Sequence, residues 1–84
     1  MPKIMKEADF ALYLNGYERA IYRHMSVKTK RLIRHMAACG LFYDPINSYR
    51  GCLYFYHGTE YAVPPMQLKN WQEVREYING CCFE

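Results

Sequence analysis

Apolar side chains recur at intervals of three and four residues through the first third of the chain, which is the spacing of one face of an α-helix. The first such stripe consists of Phe10, Leu14, Tyr17, Ile21 and Met25. Asn15-Gly16 interrupts the stripe, because both residues favour turns over helix interiors. The pattern therefore predicts an N-terminal helix over about 6–24, either continuous with a weak point or split into two short helices.

A second helix is predicted directly afterwards, over about 27–39. Ser26 is a favourable N-cap, and Gly40 is a favourable residue just past the C-terminus. At about 100° per residue, this helix has an apolar side and a basic side. The apolar side carries Leu32, Ile33, Met36 and Ala37, and the basic side carries Lys28, Lys30, Arg31, Arg34 and His35. The short interval between the helices predicts a tight helix–turn–helix corner around Met25-Ser26.

From Leu41 onward the apolar period changes to two, which is typical of β-strands. Strands are predicted over about 41–44, 52–57 and 60–63, joined as a three-stranded antiparallel meander. Asp44-Pro45 closes the first strand. Pro64-Pro65 ends the third, because proline cannot donate a hydrogen bond to a strand ladder.

The dipeptide Gly58-Thr59 suits a type II′ turn between the second and third strands. That turn would pair His57 with Glu60, Tyr56 with Tyr61, Phe55 with Ala62, and Tyr54 with Val63. Alternation along the strands then places Leu53, Phe55 and Ala62 on one face, which is the better candidate for the core. The opposite face carries Tyr54, Tyr56 and Tyr61.

A final helix is predicted over about 71–79. Asn70 caps this helix, Glu73 occupies the third helical position of a capping box, and Gly80 ends it. Its apolar stripe consists of Trp71, Val74, Tyr77 and Ile78. Because a chain of 84 residues can fill only one core, the elements together predict a single small α+β domain over 1–84.

The net charge of +3 is unevenly distributed, since residues 18–35 contain six Lys or Arg and a single acid, Glu18. The first residues lack the apolar run of a secretory signal, and no segment approaches the roughly 18 apolar residues of a membrane span. Four cysteines without an export signal indicate reduced thiols. The sequence therefore predicts a cytoplasmic protein that does not associate with membranes.

The concentration of basic residues indicates a surface for nucleic acid, because Lys and Arg neutralise backbone phosphates. The candidate nucleic-acid-binding residues are Arg19, Arg23, Lys28, Lys30, Arg31, Arg34, His35 and Arg50. The alternative is an ordinary solvated helix face, some of whose cations pair with acids of the last helix. The lack of any acid between Arg19 and Arg34 favours the nucleic-acid interpretation.

The segment KTKRLIRHMAACGLF (28–42), followed by a β-hairpin, resembles the second half of a winged-helix DNA-binding domain. Over about 17–57, the residues that fit that family's pattern are Arg31, Ile33, Met36, Cys39, Gly40 and Leu41. Residues 47–51 would form the tip of the wing, whereas Thr29 replaces a position that is usually aliphatic. The resemblance implies that helix 27–39 enters the major groove and that Arg50 contacts a phosphate or the minor groove.

The chain contains four candidate metal ligands whose spacing is that of a reversed zinc finger: His35, Cys39, Cys52 and His57. His35 and Cys39 lie one helical turn apart. Cys52 and His57, however, are an odd number of residues apart on a strand and should point to opposite faces. The sequence therefore predicts no metal site and no cofactor.

Catalysis has no clear signature in the chain. No Cys–His pair is marked by a motif, and there is no glycine-rich phosphate loop or paired-carboxylate arrangement. His57 opposite Glu60 is more simply a cross-strand polar pair. A small ribonuclease toxin, built from scattered His, Tyr and Arg residues, is the enzymatic alternative. The prediction is that the protein is not an enzyme.

Tyrosine is abundant, with nine in the chain. Tyr54, Tyr56 and Tyr61 on one sheet face predict a protein interface, because tyrosine buries a large area at small entropic cost and keeps a hydroxyl for hydrogen bonding. The alternative is that the final helix covers this face and makes it part of the core.

Together these features predict a small non-enzymatic protein that binds nucleic acid through helix 27–39 as a winged-helix-like regulator. The alternative is an inhibitor or adaptor that docks on an acidic protein or nucleoprotein through the tyrosine face and the basic helix. Compact, tyrosine-rich chains of this size resemble the small inhibitors that phages and plasmids direct at host defence nucleases. A second copy of the chain, in a homodimer, is a further candidate partner.

Overall fold

The computed structural model describes residues 4–58 and 64–81 and has the predicted α+β architecture. Its helices and strands are α1 (Glu7–Ala11), α2 (Gly16–Arg23), α3 (Val27–Ala38), β1 (Leu41–Tyr43), β2 (Leu53–His57), β3 (Met66–Leu68) and α4 (Trp71–Cys81). The strands form one antiparallel sheet in the order β1-β2-β3, followed by the C-terminal helix. No helix within the described residues is both long enough and apolar enough to cross a membrane.

The N-terminal helical region is split into two helices at Asn15. Asn15 Oδ1 accepts the Glu18 backbone N–H at 2.8 Å, and Glu18 Oε1 accepts the Asn15 backbone N–H at 3.0 Å. This capping box starts a new helix, whose phase differs from that of α1. As a result Tyr22 is buried while Tyr17 is 72% exposed. The predicted apolar stripe is therefore wrong at Tyr17, because it assumed one phase across the break.

Helix α3 has the predicted bounds to within one residue, and its ends have the predicted caps. Ser26 Oγ accepts the Thr29 backbone N–H at 3.2 Å, and Gly40 adopts a positive φ of 85° just after the helix. The predicted apolar side is largely confirmed, with Ile33, Met36 and Ala37 buried and Leu32 half-buried. These residues pack α3 against the sheet, next to β1.

The register of the third strand differs from the prediction. Tyr54 lies opposite Gln67, and Phe55 lies opposite Met66. The predicted strand over 60–63, with its Gly58-Thr59 turn to β2, involves residues 59–63, which lie outside the described residues. The strand that pairs with β2 follows the two prolines, because 66–68 alternates apolar and polar residues as a two-sided sheet requires.

The core occupies one face of the sheet, where α3 and α4 pack together. The Trp71 ring centroid lies 6.4 Å from that of Phe55 and 5.2 Å from that of Tyr43. The predicted cap of α4 is present, since Asn70 Oδ1 accepts the Glu73 N–H at 2.9 Å. Glu73 Oε1 accepts the Lys69 backbone N–H, also at 2.9 Å. The helix continues through Gly80, the predicted stop, and ends one residue later at Cys81.

Candidate binding surfaces

The basic surface of α2 and α3 is smaller than the sequence predicts. Arg23, Lys28 and Arg31 are exposed, whereas Lys30 and Arg34 are half-buried. Arg34 Nη1 donates to the Met5 carbonyl at 3.5 Å. Its Nε is buried with no hydrogen-bond partner among the described residues. Lys30 and Arg34 are therefore partly covered by the protein and contribute less to the open basic surface.

Arg19 is exposed but has a local structural role. Its Nε and Nη2 donate to the Ala11 carbonyl at 3.2 and 2.9 Å. Ala11 is the last residue of α1, and its carbonyl also accepts the Leu14 backbone N–H at 3.2 Å. Arg19 therefore joins α2 to the end of α1, and a ligand phosphate would compete with that contact.

Tyr22 contacts both Lys30 and Arg34, the two half-buried cations of α3. The Lys30 ammonium lies 5.6 Å from the Tyr22 ring centroid, in cation–π range. The Tyr22 hydroxyl donates to Glu7 Oε1 at 3.4 Å, and its ring packs 5.1 Å from that of Phe10. Burial raises the pKa of Tyr22, with opposing effects from the charges of Arg34 and Glu7. The sequence could not indicate this cluster, because it depends on the phase of α2.

His35 is half-buried on the flank of the basic side. Burial lowers its pKa below the ordinary 6.5, and the charge of Arg31 lowers it further. The neutral imidazole is therefore the predominant form at pH 7, and His35 contributes little positive charge there. Among the predicted nucleic-acid residues of α2 and α3, the cations that remain on the open surface without such a contact are Arg23, Lys28 and Arg31.

The sheet face opposite the core carries the tyrosines, as predicted. Leu53 and Phe55 are buried in the core, and Tyr54 and Tyr56 are half-buried on the other side. Because Trp71 of α4 packs on Phe55, α4 covers the core face and not the tyrosine face. Tyr61 lies outside the described residues.

Further aromatic residues extend this surface at both ends. Phe42 pairs with Tyr56 across the strands, and the ring of Tyr13 packs 4.6 Å from that of Phe42. At the other end, Cys52, burial and Tyr49 raise the pKa of Tyr54 to about 12, which places Tyr49 beside Tyr54. We call this surface the aromatic sheet face. It consists of Tyr13, Phe42, Tyr49, Tyr54 and Tyr56.

Asp44 is a buried carboxylate that holds Tyr56 of the aromatic sheet face by a hydrogen bond. The buried carboxylate accepts the backbone N–H of Ile46 at 3.0 Å, and the backbone N–H and Nδ2 of Asn47 at 3.2 and 2.6 Å. It also accepts a hydrogen bond from the Tyr56 hydroxyl. Burial would raise the pKa of Asp44, but these hydrogen bonds outweigh burial and lower it. The sequence indicated only a turn at Asp44-Pro45 and missed this role.

The loop between β1 and β2 presents Arg50 at its tip. Tyr49 and Cys52 exchange two backbone hydrogen bonds of 2.9 Å, and Gly51 adopts a φ of 95° that favours glycine. Arg50 is exposed, and Tyr49 is 63% exposed. A cavity of about 330 Å³ lies beside the tip, between Arg50, Lys69 and Trp71. The structure therefore presents the predicted contact residue Arg50 to solvent.

The four candidate metal ligands, His35, Cys39, Cys52 and His57, all lie within the described residues. Cys52 Sγ donates to Gln67 Oε1 at 3.7 Å. Within residues 4–58 and 64–81, no group of three or more His, Cys, Asp or Glu could hold a metal ion. Neither Cys39 nor Cys52 forms a disulfide.

The structure thus presents a sheet with one face packed by helices and the other face lined by aromatic residues. A second surface, which we call the basic corner, lies between α2 and α3 and consists of the exposed Arg23, Lys28 and Arg31. No family model, curated protein or solved structure matches this chain.

Proposed function

We propose that this chain is a non-enzymatic binding protein that docks on a protein partner through its aromatic sheet face. The observation that carries the proposal is the two-sided sheet, in which α3 and α4 cover one face. The other face keeps Tyr54 and Tyr56 partly accessible, with Tyr13 58% exposed at its edge. Large, rigid aromatic rings with polar tips are the residues that dominate protein interfaces.

The charges near the aromatic sheet face favour a protein over a nucleic acid. The three strands contain no Lys or Arg, and the exposed Arg50 lies next to Tyr49 at one end of the face only. Bases that stack on aromatic rings bring their phosphates with them, and phosphates need nearby cations. The negative charges of Asp44 and Glu18 both act on Tyr56, and they would repel a polyanion. A protein partner with apolar and hydrogen-bonding groups fits this face better.

The basic side of α3 belongs to a different surface. Ile33 and Met36 point toward the sheet, so Lys28 and Arg31 on the opposite side of α3 point away from it. A single flat partner could not cover both surfaces. The sequence predicted an inhibitor or adaptor that docks through both the tyrosine face and the basic helix. In the present proposal the docking surface is the sheet alone, without the basic helix.

The test is an affinity capture from nuclease-treated lysate with three forms of the protein. Tyr54→Ala removes an aromatic ring from the centre of the face. Tyr17→Ala is the matched control, because Tyr17 is an exposed tyrosine on α2 that is not part of the aromatic sheet face. We expect a stoichiometric protein partner that the wild type and Tyr17→Ala retain and Tyr54→Ala loses. A partner retained equally by all three forms contradicts the proposal.

Nucleic-acid binding is a second candidate, carried by a separate observation. Arg23, Lys28 and Arg31 are all exposed around the tight corner between α2 and α3. Such a cluster would contact backbone phosphates and give salt-sensitive binding. In this proposal α3 is the contacting helix of a winged-helix-like regulator and Arg50 a second contact. Both proposals take the protein to be cytoplasmic.

A further inference from the structure

A second feature of the aromatic sheet face is a cavity at its β1 edge. The cavity has a volume of about 330 Å³ and lies between that edge and the connection from α1 to α2. Its wall includes five aromatic side chains and one carboxylate, namely Phe10, Tyr13, Phe42, Tyr43, Tyr56 and Glu18. The volume is near the lower limit for ligand pockets and suits a single side chain.

The lining of the cavity has the chemistry of a cation site. Aromatic ring faces attract a cation through their quadrupole, and a carboxylate adds a full opposite charge. Neither lysine nor arginine is among the described residues that line the cavity, so no internal cation neutralises Glu18 there. Glu18 is half-buried, which reduces the screening of its charge by water.

The lining residues are held in place by contacts outside the cavity. Glu18 Oε1 accepts the Asn15 N–H at 3.0 Å, and a carboxylate keeps further acceptor sites on its second oxygen. The Tyr56 hydroxyl donates to the buried Asp44, and Tyr13 packs on Phe42. The hydrogen bond to Asp44 is the main reason that the pKa of Tyr56 is raised, and the charge of Glu18 is a smaller reason. The carboxylate and the rings therefore form one preorganised group.

We propose that this cavity receives a basic side chain of the protein partner, with Glu18 as its counter-ion and Tyr13, Phe42 and Tyr56 as its aromatic wall. The proposal rests on the proposed function, because the cavity opens on the same face and would anchor the same partner. Arginine fits better than lysine, since a planar guanidinium stacks on aromatic rings and donates two hydrogen bonds to a carboxylate.

The experiment is an NMR titration of the whole chain with Nα-acetyl-arginine amide. The matched probe is Nα-acetyl-citrulline amide, which has nearly the same shape without the charge. We expect the arginine probe to shift ring resonances of Tyr13, Phe42 and Tyr56 in a saturable manner in the millimolar range. The citrulline probe should leave them unchanged. Equal binding of the two probes, or no binding of either, overturns the proposal.

A pair of variants tests the counter-ion. Glu18→Gln removes the charge but keeps the capping box, because glutamine serves equally at that position. Glu73→Gln is the control, since Glu73 is a carboxylate in the first turn of α4 that also accepts a backbone N–H. We expect Glu18→Gln to weaken the arginine probe about tenfold, as charge-assisted contacts require, and Glu73→Gln to leave it unchanged. Binding to Glu18→Gln with wild-type affinity contradicts the assignment.

The two proposals fail in different ways. If the arginine probe does not bind but Tyr54→Ala still loses the partner, the face docks a protein without a cationic anchor. If the probe binds at Glu18 but Tyr54→Ala keeps the partner, the cavity is a cation site and the proposed docking face is wrong. Tyr54 does not line the cavity, so its substitution leaves the probe site intact.

Discussion

The ammonium of Lys30 lies 5.6 Å from the centroid of the Tyr22 ring, so a cation predicted to face solvent instead holds α2 against α3. Arg31, the next residue along α3, is exposed. Two adjacent basic residues therefore have different roles, one in the packing of helices and the other on the surface. This difference can be measured as stability.

We expect Lys30→Ala to lower the free energy of unfolding by about 0.5–1 kcal/mol, the strength of a cation–π contact near the surface. Arg31→Ala should change it by less than about 0.5 kcal/mol, as exposed substitutions usually do. Urea unfolding of the two variants under the same conditions makes the comparison. Equal losses would mean that the Lys30–Tyr22 contact does not stabilise the fold.

Asp44→Ala should destabilise the protein by about 2–3 kcal/mol at pH 7, because several buried hydrogen bonds to one carboxylate are lost. The folded-state pKa of Asp44 is below its ordinary value of 3.8. Its contribution is therefore fully present above pH 3.8 and is lost as the pH falls through the lowered folded-state pKa. Chemical unfolding at pH 7 and in strong acid should show the variant and the wild type converging in acid. A difference independent of pH would contradict the role of the ionised carboxylate.

Tyr54→Ala and Phe55→Ala distinguish the two faces of the sheet. Phe55 has 0% exposure, so its truncation should cost about 3–5 kcal/mol of stability. Tyr54 is half-buried on the opposite face, and its truncation should cost about 1 kcal/mol or less. Partner affinity should fall by about 2 kcal/mol for Tyr54→Ala, as for an aromatic anchor. A stability loss for Tyr54→Ala as large as that of Phe55→Ala would assign the tyrosine to the core.

If the basic corner binds nucleic acid, Lys28→Ala and Arg31→Ala should each weaken binding at every sequence tested. Each should also reduce the salt dependence of binding by about one phosphate contact. Lys30→Ala is the control, since that ammonium faces Tyr22. Fluorescence anisotropy over a range of salt concentrations gives both quantities. Unchanged affinity for Lys28→Ala and Arg31→Ala would remove this candidate function.

The elements predicted most accurately are those whose signals are local. Helix α3 begins after Ser26 and ends before Gly40, because a serine cap and a glycine of positive φ act on backbone groups within one turn. The burial of Leu53 and Phe55 was predictable because successive side chains of a strand point to opposite faces, so the local sequence alone assigns each residue to a face. The order of helices and strands, and the placement of Tyr54 and Tyr56 on the face opposite Phe55, follow from such short-range patterns.

The tertiary structure decided everything that depends on two distant segments. Tyr54 pairs with Gln67, and the alternation of residues along a strand does not by itself select that partner. Tyr22 is buried and Tyr17 is exposed because of how α2 packs after its own cap. The buried Tyr22 then contacts Lys30 and Arg34, which are half-buried as a result. Glu18 and Tyr56 line one cavity only because the connection from α1 to α2 lies along the β1 edge. Burial and electrostatic contact are properties of packed surfaces, and the linear sequence by itself does not specify which surfaces meet.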